Sequence, residues 1–500
     1  MKNKVSRRAF LGTTATAATA AAFSVIPNYA MGGSVLGQKM PSNKLNITAV
    51  DIDSRGSAVI SGVIDKEEFK KNNVPNNGDR FEVIVAGAGP AGISAALAAS
   101  SMGAKTLLLE ARGFMGGVAA TSLWMPMNRV LLNGGPRGFT HNMLVDKIKS
   151  YGNDAFVEGK VTWIDGDGLH IHPDYLRFGM FELLEQYGCK YMLNSPVVGA
   201  KVEDGVIKEV TVGTKDGSAI FYADIFIDCT GDGDLSYRAG AQTFVGAEDT
   251  GALMPITLGF MLANVDTDRL FEFYNGPERR SFSAIIRQAA EMGYGVSTFY
   301  SFDRTSIPGV VSVNNGGLRN VGPLNAVDPR DSTAAERICL QVVMDFMAFA
   351  RKLIPGLENC CLVRTGATVG VRETRRVMAD YVVSIDDAQG MEFEDVVARR
   401  YGDVDQAGLS SGGGRPRMVS GYAFPYRALL VKGIERLMAA GRCGSYTHEG
   451  LAAGKSMGNM MGMGQAAGVA AVLSVQQGIT PRQLPYQQVQ KVLTDRGVQL

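Results

Sequence analysis

Between residues 81 and 117 the chain alternates apolar runs with glycine turns. Phe81 to Ala86 is a short run rich in β-branched residues, of the length of a buried strand. Gly87-Ala88-Gly89-Pro90-Ala91-Gly92 follows at once, then an Ala-rich stretch, residues 93–102, closed by Gly103, and a second apolar run, residues 106–109, ending on Glu110. The pattern predicts strand, turn, helix and strand. A further Gly pair, Gly116-Gly117, follows Ala111-Arg112.

Downstream, residues 174–187 place Leu176, Met180, Leu183 and Leu184 at helical spacing. Residues 197–202, 206–212 and 219–221 predict a meander with turns at Asp204-Gly205 and Asp216-Gly217. Residues 224–229 read as a strand running into Thr230-Gly231-Asp232-Gly233-Asp234. Residues 118–138 and 408–427 read as loops, 280–292 and 332–353 as helices, and 255–265 as extended. Near the C-terminus a strand at 437–440, a turn at Gly441-Arg442-Cys443-Gly444, a small-residue helix at 458–475 and an amphipathic helix at 481–497 complete the pattern. A hairpin is suggested around residues 49–64.

The spacing G-x-G-x-x-G between a strand and a helix is the fingerprint of a dinucleotide-binding βαβ unit. Gly87 permits the tight turn, Gly89 lets backbone approach a pyrophosphate, and Gly92 lets helix and strand pack closely. Pro90 and Ala91 start the helix whose free N–H groups favour phosphate. Glu110 stands where a carboxylate accepts from both ribose hydroxyls and repels a 2′-phosphate, which disfavours NADP.

The N-terminus reads as a targeting segment, residues 1–30. Lys2, Lys4, Arg7 and Arg8 precede a mildly apolar stretch, and Ser6-Arg7-Arg8-Ala9-Phe10-Leu11 fits the twin-arginine pattern S-R-R-x-F-L. The rival reading is an N-terminal membrane helix; weak hydropathy and Pro27 favour a removed signal. Engagement of the twin-arginine export machinery implies a periplasmic or secreted protein, exported already folded with its cofactor.

Composition narrows the classes. The 500 residues suffice for two or three domains, and 50 basic against 49 acidic side chains leave a net charge of +1, so the chain carries no overall footprint for nucleic acid or anionic membrane. Six cysteines form no C-x-x-C, and Cys360-Cys361 reads as a pair of small strand residues. The four histidines are His141, His170, His172 and His448. His170 and His172 alternate and would share one face of a strand, but no third ligand is evident, so no metal is expected.

Pro90 inside G-A-G-P-A-G is typical of FAD turns. Four further elements occur in order: His172-Pro173-Asp174-Tyr175-Leu176; Val371-Arg372-Glu373-Thr374-Arg375-Arg376; Pro425-Tyr426-Arg427-Ala428-Leu429; and Gly441-Arg442-Cys443 through Thr447-His448-Glu449 to Gly464-Gln465-Ala466-Ala467-Gly468. With the strand that enters Thr230-Gly231-Asp232, they resemble the FAD-dependent oxidoreductase family of the glutathione-reductase-like flavoprotein superfamily over most of residues 81–475.

The resemblance implies an α/β fold, with a Rossmann-like FAD-binding domain of the GR2 type and an inserted α+β substrate or cap domain. The FAD domain is expected from 81–138, 195–240 and 415–478, the cap from 139–194 and 241–414, with 31–80 an extension and 479–500 a terminal helix. It implies FAD contacts from the glycine turn, Glu110 to Arg112, Gly116, Gly117, Val198, Thr230 to Asp232, Gly441, Arg442, Gly464 and Gln465. The family commonly carries Arg and Pro where this chain has Lys455 and Gly458.

Catalytic candidates are His448 and Glu449, with Arg372 and Arg375. His448 suits a general base, a substrate ligand or a covalent flavin link, or else is a structural loop residue. On a helix or turn Arg372 and Arg375 would share a face, with Arg376 beside Arg372, either to bind an oxyanion or to make an interdomain salt network. Asp232 and Asp234 hold the cofactor loop or the ribityl chain, and Trp124 and Tyr446 either shape a pocket or fill the core. No second G-x-G-x-x-G follows a strand, so an external quinone, cytochrome or oxygen is expected rather than a docked nicotinamide. The expected reaction is dehydrogenation of a small organic substrate; the alternatives are fumarate-reductase-like chemistry, a flavin-binding electron-transfer subunit and an NAD-dependent dehydrogenase.

Overall fold

The computed structural model describes residues 49–52, 58–61, 66–124, 126–132, 135–157, 168–297, 300–315, 324–402, 404–405 and 421–500. The expected signal segment and most of the loop at 408–427 lie outside them. The chain divides into two units, Met1–Asp65 and Lys66–Leu500. In the first, Ala49–Ile52 and Ala58–Ser61 pair antiparallel with Val50 opposite Ile60, where the pattern suggests a hairpin. The second carries everything that follows.

Arg80–Ala86 (β1), Pro90–Ser101 (α1) and Thr106–Leu109 (β2) form in the predicted order. From Val83 to Ala86, β1 is wholly buried, as a strand covered on both faces must be. α1 is buried on every side from Ala91 to Ser100, which requires neighbours all round. Phe139–Lys149 (α2) and Pro173–Gln186 (α3) supply two of them. Lys190–Met192 (β3) then pairs parallel to β2.

The meander is Val197–Glu203 (β4), Val206–Thr214 (β5) and Gly217–Asp228 (β6). β6 is one strand of 12 residues, not the two expected at 219–221 and 224–229. Tyr222 and Asp224 do not interrupt it: Tyr222 pairs with Glu209 on one side and Arg80 on the other, and Asp224 binds the Arg80 guanidinium.

A second hydrophobic core gathers residues from Ile256 to Val369. It contains Phe260–Ala263 (β7), Thr267–Asn275 (α4), Arg280–Glu291 (α5), Tyr300–Arg304 (β8), Val311–Asn315 (β9), Pro329–Leu353 (α6) and Cys361–Thr365 (β10). The strands form an antiparallel sheet in the order β8-β9-β7-β10. Asp328 caps α6 by accepting from the Arg330 N–H, and Phe346 on its inner face meets Phe260 and Tyr300 at 5.1 and 4.7 Å between ring centres.

The chain returns through Arg375–Val377 (β11), Val396–Arg400 (β12), Tyr422–Pro425 (β13) and Leu437–Ala439 (β14), then His448–Ala452 (α7), Met457–Gln477 (α8) and Tyr486–Asp495 (α9). The main sheet runs β3-β2-β1-β6-β5-β4, with β14 parallel to the end of β6. α8 lies along α1 at backbone contact: a Cβ on Gly464 would overlap the Ala91 carbonyl, and one on Gly468 the Ala95 carbonyl. No helix among the described residues is long and apolar enough to cross a membrane.

Residues 139–194 are not part of the second core: β3 extends the main sheet, and Leu144, Ile148, Leu176 and Met180 pack with α1. Within 241–414, β12 places Val397 and Ala398 in that same main core. The terminal helix buries Val489 and Leu493 in the main core as well. Residues 118–138 contain a short helix, Val118–Thr121, and paired strands.

Candidate active site

The parallel strands of the main sheet end level. Ala86 stands opposite Leu109, Met192 opposite Leu109, and Asp228 opposite both Ala86 and Ala439. The chain therefore leaves β1, β2, β6 and β14 along one line, at the carboxyl ends where such sheets bind ligands. Gly87 turns there with φ +94°, too close to the Cys229 carbonyl for any side chain. A Cβ on Gly92 would overlap the Gly87 oxygen. Gly441, at φ +92°, would bring a Cβ within 2.8 Å of the Ala91 methyl.

Gly89 differs from these: a Cβ there meets nothing within 4 Å. The backbone at the start of α1 thus borders open space, Pro90 occupies the first turn, and no side chain caps the helix. Gly116 donates to the Ala88 carbonyl at 2.8 Å, and a Cβ on Gly117 would lie 3.0 Å from Gly89 Cα. Two glycine pairs enclose one cradle with unclaimed helix N–H groups, the chemistry that receives a pyrophosphate.

Glu110 closes one end. Its carboxylate accepts from the Ala88 N–H at 2.7 Å and the Arg112 N–H at 2.8 Å. Burial pushes this carboxyl up, against the pull of the Ala88, Arg112 and Ala111 amides. Ser195 N–H donates to the Glu110 carbonyl at 2.8 Å, so the entry to β4 lies beside it; Val198, three residues on, is 44% exposed.

The opposite end is a polar knot of three sequence motifs. Buried Asp228 accepts from the Thr230 N–H and hydroxyl at 3.0 and 2.7 Å and from the Ser236 N–H at 2.8 Å, which shapes the loop. Asp232 accepts from Thr374 at 2.6 Å and pairs with Arg442 at 2.9 Å. Burial raises the Asp232 carboxyl, but Arg442, Thr374 and Arg375 outweigh it and hold it below its ordinary value. Arg375 donates to the Asp232 carbonyl and pairs with Asp234 at 2.7 Å. Burial and the neighbouring Asp232 and Asp228 push Asp234 up to about 6, against the opposing Arg375.

Arg375 opens β11 and Arg372 precedes it outside any helix, so the two do not share a helical face, and along the strand successive side chains part company. Arg375 stays on the Asp232 loop, whereas Arg376 is fully buried, bonded to the Gly246 carbonyl at 2.5 Å and near Glu248 at 3.3 Å. Arg372 donates to the Pro255 carbonyl at 2.8 Å and faces Asp405 at 3.5 Å. Lys455 binds the same Asp405 oxygen at 2.6 Å. Burial, with Arg372 and Arg442 nearby, holds the Lys455 ammonium below its ordinary value despite Asp405.

His448 begins α7, and its Nδ1 lies 2.8 and 2.9 Å from the two Glu373 oxygens. Both are buried, His448 at 5% and Glu373 at 1% exposure. Glu449 is half-buried one position on. Glu373 lacked a distinguishing signal in the sequence beyond its place in a dense arginine cluster. The Gln465 Oε1 accepts from the Thr140 N–H and hydroxyl at 3.0 and 2.9 Å, while Gly464 serves the α1 contact. His170 and His172 do not share a face. His170 bonds Asp303 at 3.3 Å, and His172 ends the strand and caps α3, accepting from the Asp174 N–H at 3.2 Å. Trp124 is core, edge-on to His172, and Tyr446 is fully buried.

The sheet ends and the glycine cradle together suit a dinucleotide. Residues 82–493 match the family described as FAD dependent oxidoreductase; the chain belongs to that family, is an enzyme and uses FAD. The open Gly89 backbone, the uncapped α1 and Glu110 fit the adenosine diphosphate half of FAD. No curated protein matches the chain. Similar solved structures include a geranylgeranyl bacteriochlorophyll reductase-like protein from Thermoplasma acidophilum (14% identity, TM-score 0.44, 84% of each chain). A p-nitrophenol 4-monooxygenase from Pseudomonas putida (12%, 0.42, 84% of this chain and 85% of that one) and a myxobacterial chondrochloren halogenase (14%, 0.44, 84% and 79%) are also similar.

Proposed function

We propose that this chain is an exported FAD-dependent dehydrogenase. Bound FAD would exchange hydride with a small organic substrate at N5, His448 would carry the accompanying proton, and an external acceptor such as a quinone or cytochrome would take the electrons. The observation that carries this reading is the buried His448–Glu373 pair, 2.8 Å apart, in which His448 lies on the segment that follows the Gly441-Arg442 turn and Glu373 just before β11. FAD supplies the two-electron chemistry. The chain's own residues bind it through the glycine cradle and Glu110, with Asp232 and Arg442 toward its ribityl chain, and place a proton carrier. The separate core from Ile256 to Val369 supports an inserted cap on a GR2-type FAD domain. The lack of a second G-x-G-x-x-G unit supports an external electron partner, and the Ser6-to-Leu11 motif supports twin-arginine export to the periplasm.

Reduction of an unsaturated carboxylate is a second reading. It is favoured by Lys455 and Arg372 meeting on one Asp405 oxygen near the same turn.

The test is an absorption spectrum of the purified mature protein, repeated after acid precipitation, followed by anaerobic mixing with small alcohols, amines and acids. Flavin bands that bleach with one of these compounds support the dehydrogenase. Flavin that resists all of them, yet after photoreduction is reoxidised by an unsaturated carboxylate, moves the assignment to the second reading. Colour retained in the acid pellet would make His448 the first residue to replace as a covalent link.

A further inference from the structure

We infer that Glu373 is the residue that positions His448 for proton transfer, keeping the imidazole proton on Nδ1 and presenting Nε2, and that Arg376 and the Met254 N–H hold Glu373 in place. This rests on the reading of His448 as the proton carrier.

A carboxylate only accepts hydrogen bonds. With both Glu373 oxygens within 2.9 Å of Nδ1, that nitrogen carries the hydrogen, and the basic lone pair is left on Nε2. Glu373 is itself fixed: Oε2 accepts from the Met254 N–H at 3.1 Å, and Oε1 stands 3.4 Å from Arg376 Nη1. The distances separate this role from a plain salt link. A carboxylate present to neutralise Arg376 would sit closest to the guanidinium, yet Glu373 is closer to the imidazole, and Arg376 has other acceptors in the Gly246 carbonyl and Glu248.

Glu248 fixes the other side of the histidine by accepting its backbone N–H at 2.9 Å. The arrangement joins residues 248, 254, 373, 376 and 448, so it forms only when the segments around the second core and the FAD segment meet. This is the geometry by which a buried acid orients a histidine base.

In the oxidation of an alcohol, Nε2 would take the substrate O–H proton while bound FAD would supply the acceptor for the hydride released from the C–H bond. The resulting imidazolium keeps its Nδ1 hydrogen on Glu373, and the Nε2 proton leaves to solvent after product departs.

The experiment uses the FAD-loaded full chain labelled with 15N-histidine, in which only four histidines contribute, His448 being assigned by His448→Gln. Wild type should show His448 as the Nδ1–H tautomer. Glu373→Gln should lose that tautomer preference and slow flavin reduction by the substrate found in the anaerobic screen about 100-fold, with KM within about threefold; Glu373→Asp should recover part of both. If Glu373→Gln loses FAD or does not fold, Glu373→Asp, which keeps the charge but draws it back by one methylene, is read by the same spectrum. An unchanged tautomer and rate in a folded Glu373 variant overturn the inference. Normal turnover in His448→Gln instead overturns the proton-carrier reading itself.

Discussion

The backbone N–H of Ala88 donates to the Glu110 carboxylate at 2.7 Å, tying the acid at the end of β2 to the glycine turn at the end of β1. The acid therefore both shapes the turn and faces the place where a ribose would lie. Glu110→Gln keeps one acceptor oxygen; Glu110→Ala keeps none and leaves two backbone donors unpaired. Hydrogen bonds to charged groups contribute about 1.5–3 kcal/mol, so Glu110→Ala should weaken FAD binding roughly 10- to 100-fold and Glu110→Gln less. Flavin fluorescence on titrating apoprotein with FAD measures both.

Gly89 and Gly92 separate cofactor binding from folding. A methyl at Gly92 overlaps the Gly87 carbonyl, so Gly92→Ala should unfold the β1–α1 unit or lower the melting temperature by several degrees. A methyl at Gly89 meets no protein atom within 4 Å and the backbone there has φ −74°, so the Gly89→Ala apoprotein should melt like wild type. It should nonetheless lose most of its flavin, because the added methyl occupies the pyrophosphate approach. Equal FAD content in Gly89→Ala and wild type would show that the cofactor does not lie over this turn.

The first βαβ unit was readable because its signals are local: a β-branched run, glycines at fixed spacing and an acid at the strand end. The meander was readable for the same reason, apart from the length of β6, where Tyr222 and Asp224 mask a strand that pairing on both sides sustains. Membership of the two cores was not. Lys190–Met192 and Val396–Arg400 are short strands whose neighbours, Leu107 to Leu109 and Tyr422 to Pro425, are set by long-range pairing. The candidate catalytic pair was half readable. His448 stood out as one of four histidines, whereas Glu373 gains its role from an imidazole 75 residues away. The arginine cluster is not legible from helical spacing because residues 375–377 run extended, and Arg375 and Arg376 enter different ion pairs, with Asp234 and Glu248.

His141 gives a pH signature. It is 2% exposed, its Nε2 bonds the Gly458 carbonyl at 2.8 Å, and burial with the nearby Arg137 charge lowers it from 6.5 to about 3. The unfolded chain then binds the proton below about pH 6.5 while the folded chain does not, so stability is lost as pH falls through that range. From pH 7 to pH 5 this one group should cost about 2 kcal/mol. Denaturant melts at both values should show that loss, and His141→Gln should reduce the difference by about the same amount.

Lys455 tests whether the substrate is an anion. It stands two residues before α8, shares Asp405 with Arg372, and has an ammonium held below its ordinary 10.5 by burial and by the like charges of Arg372 and Arg442. A carboxylate arriving there would relieve that repulsion, so its binding should favour the charged lysine. Lys455→Met should raise the KM for a carboxylate substrate about tenfold or more while changing the KM for a neutral one little. The sign of the pH dependence follows: affinity for the anion should fall as pH rises through the lowered lysine value, and that fall should vanish in Lys455→Met. Arg at this position keeps charge at every working pH, so Lys455→Arg should retain anion affinity and lose the alkaline fall. If Lys455→Met binds carboxylates as wild type does, the lysine serves only to hold Asp405, and the reading of an anionic substrate loses its support.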